Sequence, residues 1–330
     1  MRRYCATQRI AHTRGDARMS GADLKSHTIG WIGTGKMGYP MADRLIKSGA
    51  DVKVYNRTAA KAEPLGVEVV DSPGKLADRD IIFVIVTDDK AFREVMTGPD
   101  GVLSGDTMPK VISDSSTVSM EASKEIRDIC EAKGVHFLAT PISGNGHAVA
   151  AGKAMLGVSG PREAYDMVQP YIAQLGRAES YIGEGDVSRL AKLAHNVMLG
   201  VVAQCLAEIT VLCEKGGIKR ADFLTYFNNS AMSSIFTNYK APALVNLDYT
   251  ATHTSKMLRK DLDLALKEAK DLEVPMPVTN LTRELVQALI GLGHGEDDFA
   301  AMIKVQAAMS GYEIQPENVE VSDGLKDAAE

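Results

Sequence analysis

Two short stretches of the chain carry residue types at spacings that could do chemistry. The first is Gly33-Thr34-Gly35-Lys36-Met37-Gly38, a G-x-G-x-x-G pattern that follows the apolar run 27–32. In that setting the first glycine permits a tight turn out of a strand. The second lets the backbone approach a pyrophosphate, and the third lets a helix pack on a sheet. The unpaired N–H groups at the start of that helix favour phosphate. The second stretch holds Lys192 and Asn196 at i and i+4, with His195 at i+3, on one face of a predicted helix with apolar neighbours on both sides. A lysine there either snorkels to water or sits in a pocket, where lost hydration lowers its pKa and makes it a general acid or base. Spacing alone leaves both open. His195 reads as a packing or hydrogen-bonding residue, because no second His or carboxylate lies at metal-ligand spacing from it.

The residues after the second strand choose between cofactors. An NAD site usually ends that strand in an acidic residue that holds the ribose hydroxyls. Here the segment reads Tyr55-Asn56-Arg57-Thr58. The missing carboxylate, the arginine and the hydroxyl all favour a 2′-phosphate, hence NADP(H) over NAD(H). The bland reading of the same residues is an exposed turn with an incidental arginine.

The elements that must position these residues follow from periodicity. The apolar run 27–32, the amphipathic stretch 39–48 and the strand 51–55 form a βαβ unit around the glycine turn. Further strands are expected at 67–70, 80–86, 110–114, 135–139 and 156–159, with helices at 120–133 and 161–175. This alternation predicts a doubly wound sheet of Rossmann type. The pattern changes after Gly185. Residues 187–215 contain no proline and only Gly200, with apolar residues at helical spacing, and Gly216-Gly217 end the run. Beyond it the chain reads as helices near 219–228, 239–245, 254–272, 277–291 and 296–309. The organisation expected is an extension at 1–26, a cofactor-binding α/β domain at 27–186, an all-α substrate and oligomerisation domain at 187–310 that opens with the long connecting helix, and a loose polar tail at 311–330.

Bulk properties set the frame. The 330 residues are 45% hydrophobic and 24% charged with a net charge of −6, which suits two globular domains and argues against nucleic acid as partner. Aromatics make up 5% with a single tryptophan, too few for a stacking platform. Cys5, Cys130, Cys205 and Cys213 form no C-x-x-C pair, so a reducing cytoplasm fits better than a disulfide framework or a zinc site. No apolar run approaches the ~20 residues of a membrane span. The Arg-rich, acid-poor start reads as a disordered extension, with Met19 as an alternative beginning. A mitochondrial transit segment is the minor alternative.

At this point the pattern resembles the β-hydroxyacid dehydrogenase family, over about residues 28–305. The stretch from Gly33 to Ala42 is similar to the family's cofactor signature and implies that Thr34, Lys36 and Met37 share that site. Asp114-Ser115-Ser116-Thr117 is similar to its strand-end motif, which implies that Thr117 contacts the nicotinamide side. Thr140-Pro141-Ile142-Ser143-Gly144-Asn145 resembles the substrate loop, which implies that Ser143, Gly144 and Asn145 hold a carboxylate. Lys192-x-x-His195-Asn196 resembles the catalytic K-x-x-x-N, which makes Lys192 the proton donor or acceptor, Asn196 its partner and His195 a substrate contact. Lys260-Asp261-Leu262 resembles a K-D-L motif and implies that Lys260 lies by cofactor and substrate.

Two departures stand out. Val86-Thr87-Asp88 replaces the usual Met-Leu-Pro beside the cofactor, and Asn145 replaces a glycine, which would re-polarise the substrate pocket. The activity implied is interconversion of a small β-hydroxyacid and its carbonyl form with NADP(H). A non-catalytic cofactor-binding relative and an imine or other carbonyl reductase are the rival readings. A small anionic substrate, no nucleic acid or membrane partner and a homodimer or homotetramer complete the expectation.

Overall fold

The structure is a computed structural model that describes residues 23–324. Six parallel strands build the first domain: β1 (Thr28–Ile32), β2 (Asp51–Tyr55), β3 (Val69–Val70), β4 (Ile81–Val84), β5 (Val111–Asp114) and β6 (His136–Ala139). Their spatial order is β3-β2-β1-β4-β5-β6, so the direction of winding reverses between β1 and β4. Ligands in such sheets bind at that reversal, beyond the carboxyl ends of the strands. The edge is extended by β7 (Ile142–Ser143), β8 (Met155–Ser159) and β9 (Ala178–Gly183). β8 runs antiparallel to β6 and β7 and parallel to β9. Helices α1 (Gly38–Lys47), α2 (Asp89–Thr97), α3 (Met120–Ala132), α4 (Gly146–Ala150) and α5 (Arg162–Ile172) cross between strands. Strands buried on both faces explain the near-continuous Val/Ile runs. Trp31 belongs to this core, stacked on Phe83 with its indole N–H donated to the Gly33 carbonyl.

The second domain is helical: α6 (Val187–Lys215), α7 (Arg220–Asn228), α8 (Ile235–Asn246), α9 (Ser255–Asp271), α10 (Pro277–Gly291) and α11 (Met302–Met309). α6 is the spine. Its buried stripe includes Leu193, Asn196, Gly200, Ala203 and Ala207. Gly200 lets α9 approach, since a Cβ there would stand 3.3 Å from Leu258. By length and composition alone α6 could cross a membrane, contrary to the expectation from apolar runs. In the fold it packs along α9, α10 and α11. A helix tolerates scattered polar residues that break a run without lowering its average hydropathy much.

The ends of the packed chain differ from expectation. Leu24, assigned to the extension, is fully buried in the first core, because Asp23–Lys25 form a 3-10 turn against α5. Residues 1–22, with Cys5, Met19 and the arginine-rich start, lie outside the described residues, as do 325–330. The described part of the tail is not loose. Glu317 accepts the N–H groups of Arg220 and Ala221 at the start of α7, and the buried Arg220 guanidinium holds the Gln315 carbonyl. Asn246 pairs with the Val319 backbone. Glu317 caps a helix start with its side chain, while Gln315 and Val319 contribute backbone groups. Helix α2 also lay outside the expected elements. It is set by the Asp88 cap on Ala91 N–H and by burial of Phe92, Val95 and Met96.

Candidate active site between the two domains

The glycine turn sits at the carboxyl end of β1. Gly33 has φ +97°, and a Cβ there would lie 2.1 Å from the Ile85 carbonyl oxygen. A Cβ on Gly38 would lie 2.1 Å from the Gly33 carbonyl oxygen. Gly35 is different: a Cβ there meets nothing within 4 Å. The N–H groups of Gly35, Lys36 and Met37 find no acceptor among the described residues, and the buried Thr34 hydroxyl has no partner. A turn with open space over its central glycine, free N–H groups and an orphaned hydroxyl fits a pyrophosphate.

Asn56 shapes this turn, with Oδ1 accepting the Thr34 N–H at 2.9 Å and Nδ2 donating to the Thr58 carbonyl at 2.8 Å. Arg57 and Thr58 are exposed beside it, and Arg57 makes no ion pair among the described residues. Lys36 reaches away from the turn and donates to the Ala251 carbonyl of the helical domain at 3.1 Å.

The ends of β4 and β5 are tied together beside the turn. The Val86 N–H donates to Ser116 Oγ, which itself donates to Asp114. Thr87 is turned to Asp88, whose other oxygen caps α2. The departure at 86–88 is therefore a helix start. Thr117 stands next on the β5 loop, and its carbonyl accepts Lys260 Nζ at 3.0 Å. This bond crosses from sheet domain to helical domain.

Lys192 projects from α6 into the same cleft, beside Thr117 and Pro141. Its ammonium makes no hydrogen bond among the described residues. Burial pulls its pKa down to about 8; the Asp261 charge works against this and the Lys260 charge adds to it. Lys192 is half-buried and lines a small cavity with Thr117, Pro141 and Arg189, so it is neither fully solvated nor fully enclosed. Asp261, 1% exposed, is the anionic centre. Burial alone would raise its pKa, but His253 at 3.2 Å and the Lys260 and Lys192 charges hold it below the ordinary carboxylate value.

Asn196 Nδ2 donates to Asp261 at 2.7 Å, so Asn196 Oδ1 faces His195 Nδ1 at 3.2 Å. That nitrogen must carry a proton, and His195 Nε2 is left to share its 2.8 Å bond with Ser143 Oγ. Partial desolvation and the Lys192 charge lower the pKa of His195, against the Asn196 bond that raises it. Ser143 thus joins the chain of bonds that ends at Asp261. Gly144 follows with φ +129°. Asn145 Oδ1 is taken by Ala148 N–H as the cap of α4, so its residue type serves that helix first.

Sequence reasoning missed Asp261 and His253 as parts of the site. The signal for Asp261 was present: a carboxylate between Leu258, Leu262 and Ala265 on the buried stripe of α9. Nothing in spacing pointed to His253, which reaches Asp261 from the loop before that helix.

Comparison with known proteins places the chain. Residues 28–183 match the family model described as the NAD binding domain of 6-phosphogluconate dehydrogenase. Residues 183–306 match that described as NAD-binding of NADP-dependent 3-hydroxyisobutyrate dehydrogenase. An uncharacterized oxidoreductase of Bacillus subtilis is 30% identical over 281 residues, covering 84% of this chain and 98% of that one. The chain belongs to the 3-hydroxyisobutyrate dehydrogenase-like group of β-hydroxyacid dehydrogenases.

Like this family, it is an NAD(P)-dependent oxidoreductase that acts on CH–OH groups. Glyoxylate/succinic semialdehyde reductase 2 of Arabidopsis thaliana is 29% identical, covering 88% of this chain and 82% of that protein. The crystal structure of a 3-hydroxyisobutyrate dehydrogenase from Salmonella typhimurium superposes with a TM-score of 0.76 at 23% identity, over 84% of this chain and 99% of the other. The fold is that of the β-hydroxyacid dehydrogenases.

The charge balance of the cleft yields a direct test. Asp261→Asn keeps the shape and removes the charge that holds the Lys192 proton. Competitive acetylation of Lys192, followed by mass spectrometry across pH, is expected to show its titration midpoint falling from about 8 by about one pH unit. An unchanged midpoint would separate the two residues electrostatically.

Proposed function

We propose that this dehydrogenase interconverts a small β-hydroxyacid and its semialdehyde or keto form with NADP(H), and that Lys192 is its general acid/base. The observation that carries the reading is the placement of Lys192: half-buried in a small cavity beside Thr117, with desolvation lowering its pKa to about 8 and no hydrogen bond that commits its proton. A group that titrates near the working pH both gives and takes a proton efficiently. The cofactor, when bound, supplies or accepts the hydride. The Gly33–Gly38 turn would hold its pyrophosphate, Thr117 and Lys260 would lie on its reacting side, and Val86 and Thr87 would flank it.

In the reductive direction the Lys192 ammonium gives a proton to the carbonyl oxygen of the substrate. Asn196, locked by Asp261, keeps substrate and lysine in register. Ser143, His195 and the backbone at Gly144 and Asn145 receive the substrate carboxylate. With Lys192 and Lys260 nearby, the cleft suits a small anion despite the acidic net charge of the chain. Preference for NADP(H) over NAD(H) rests on exposed Arg57 and Thr58 and on the absence of a carboxylate after β2. The names of relatives, a glyoxylate/succinic semialdehyde reductase and a 2-(hydroxymethyl)glutarate dehydrogenase, support a carboxylate-bearing substrate.

A homodimer or homotetramer is supported by the outer stripe of α6, where Leu190, Met198 and Leu212 are exposed. Neither nucleic acid nor a membrane is a proposed partner: α6 has the apolar length of a span, but it is the spine of the helical core. The unpaired Cys130, Cys205 and Cys213 support a cytoplasmic setting.

NADPH consumption against glyoxylate, succinic semialdehyde, the methylmalonate and tartronate semialdehydes and a cyclic imine tests the substrate class. An acidic semialdehyde or keto acid is expected to be reduced, and turnover of the imine alone would overturn the reading. Lys192→Ala should lower kcat by ~10²-fold or more with NADPH binding nearly intact; near-normal turnover refutes the role given to Lys192. Arg57→Asp should weaken NADPH selectively, and an unchanged NADPH/NADH ratio would remove the argument for the 2′-phosphate.

A further inference from the structure

A buried ionic cluster lies one helical turn before Lys192. Arg189 is 3% exposed and Asp114 is fully buried. The Arg189 guanidinium donates to Asp114 Oδ2 at 2.5 Å, to the Ser116 carbonyl at 2.8 Å and to Ser123 Oγ at 2.5 Å. Asp186, 3.8 Å from Arg189, is held in turn by Ser123 and Arg127. Each of the three acceptors comes from the β5–α3 segment, while Arg189 comes from α6. Ser116 directly precedes Thr117, whose carbonyl takes Lys260. Arg189 and Lys192, at i and i+3, share a face of α6 and line the same small cavity with Thr117. A planar guanidinium with three directional bonds, to the end of β5, the loop after it and the first turn of α3, restricts rotation of that face.

We propose that Arg189 is the positioning residue that sets Lys192 against the Thr117 loop, by clamping the first turn of α6 to the end of β5. The inference rests on the reading of Lys192 as acid/base. Two consequences follow from the geometry. The clamp fixes the separation between the proton-bearing nitrogen and the loop on the cofactor side. It also forms one wall of the small cavity beside Lys192, whose other charged neighbours are Lys260 and Asp261 on α9 and His195 on α6. Loosening it displaces and hydrates the lysine together.

Arg189→Lys keeps the charge and loses the fork. Arg189→Met with Asp114→Leu removes both charges and leaves neither buried alone, a replacement that folds often tolerate. Both are compared with wild type and Lys192→Ala for melting temperature, NADPH affinity, kcat for the acid reduced fastest in the panel above, and the Lys192 acetylation midpoint. Folded variants are expected to bind NADPH within about threefold of wild type and to lose ~10²-fold in kcat, the scale of an ångström-sized misplacement.

The acetylation midpoint should rise from about 8 toward the ordinary lysine value of ~10.4. If the double variant does not fold, Arg189→Lys decides. A folded variant with near-normal kcat, or with reduced kcat and an unmoved midpoint, overturns the proposal and leaves Arg189 a structural residue. Activity retained by Lys192→Ala would instead overturn the reading of Lys192, a separate outcome.

Discussion

The two domains meet on the ion pair between Asp114 and Arg189. One partner ends the central strand β5, and the other sits in the first turn of α6. Burying both charges costs hydration: burial pushes the Asp114 pKa up, and the Arg189 charge with the Ser116 and Arg189 hydrogen bonds recovers only part of that, while Ser116, Ser123 and Asp114 satisfy the Arg189 guanidinium. Removing one member would leave a bare buried charge, a loss of about 3–5 kcal/mol. The pair therefore tolerates little sliding of α6 on the sheet. Ser188 adds to it by donating to the Ala139 carbonyl and accepting from Ser159. What α6 carries after that turn, Lys192, His195 and Asn196, inherits its position from this anchor.

The second constraint is electrostatic. Asp261 is the negative group on which the cleft's Lys192, Lys260 and His253 converge. Its carboxylate orients Asn196, Asn196 selects the proton position on His195, and His195 meets Ser143 across the domain boundary. One buried carboxylate thus sets both the amide orientation and the tautomer of a chain of side chains from two domains. It also offsets part of the desolvation that lowers the Lys192 pKa.

Much of this was legible in the sequence where the signal is local. The glycine turn, the βαβ units, the long helix and the Lys192–Asn196 face all follow from periodicity and from what glycine alone permits, and the structure places them as read. The losses come from contacts distant along the chain. Arg189 on an apolar face announces a buried charge, but its acceptors lie 66 to 75 residues away. The tail at 311–324 reads as loose because the bonds that hold it, to Arg220, Ala221 and Asn246, lie far upstream. Asn145 reads as a pocket residue, while its first role is to cap a helix too short to show periodicity. The resemblance supplied what periodicity could not, by pointing to Thr117, Ser143 and Lys260.

The central claim is that partial desolvation at the domain junction makes the Lys192 proton available near neutrality. The pH dependence of kcat for carbonyl reduction by NADPH tests it most directly. Because the protonated lysine is the donor, kcat should fall as pH rises through about 8. A kcat that stays level to pH 10 would contradict the account, since a lysine that far from its ordinary environment would then not be the source of the proton.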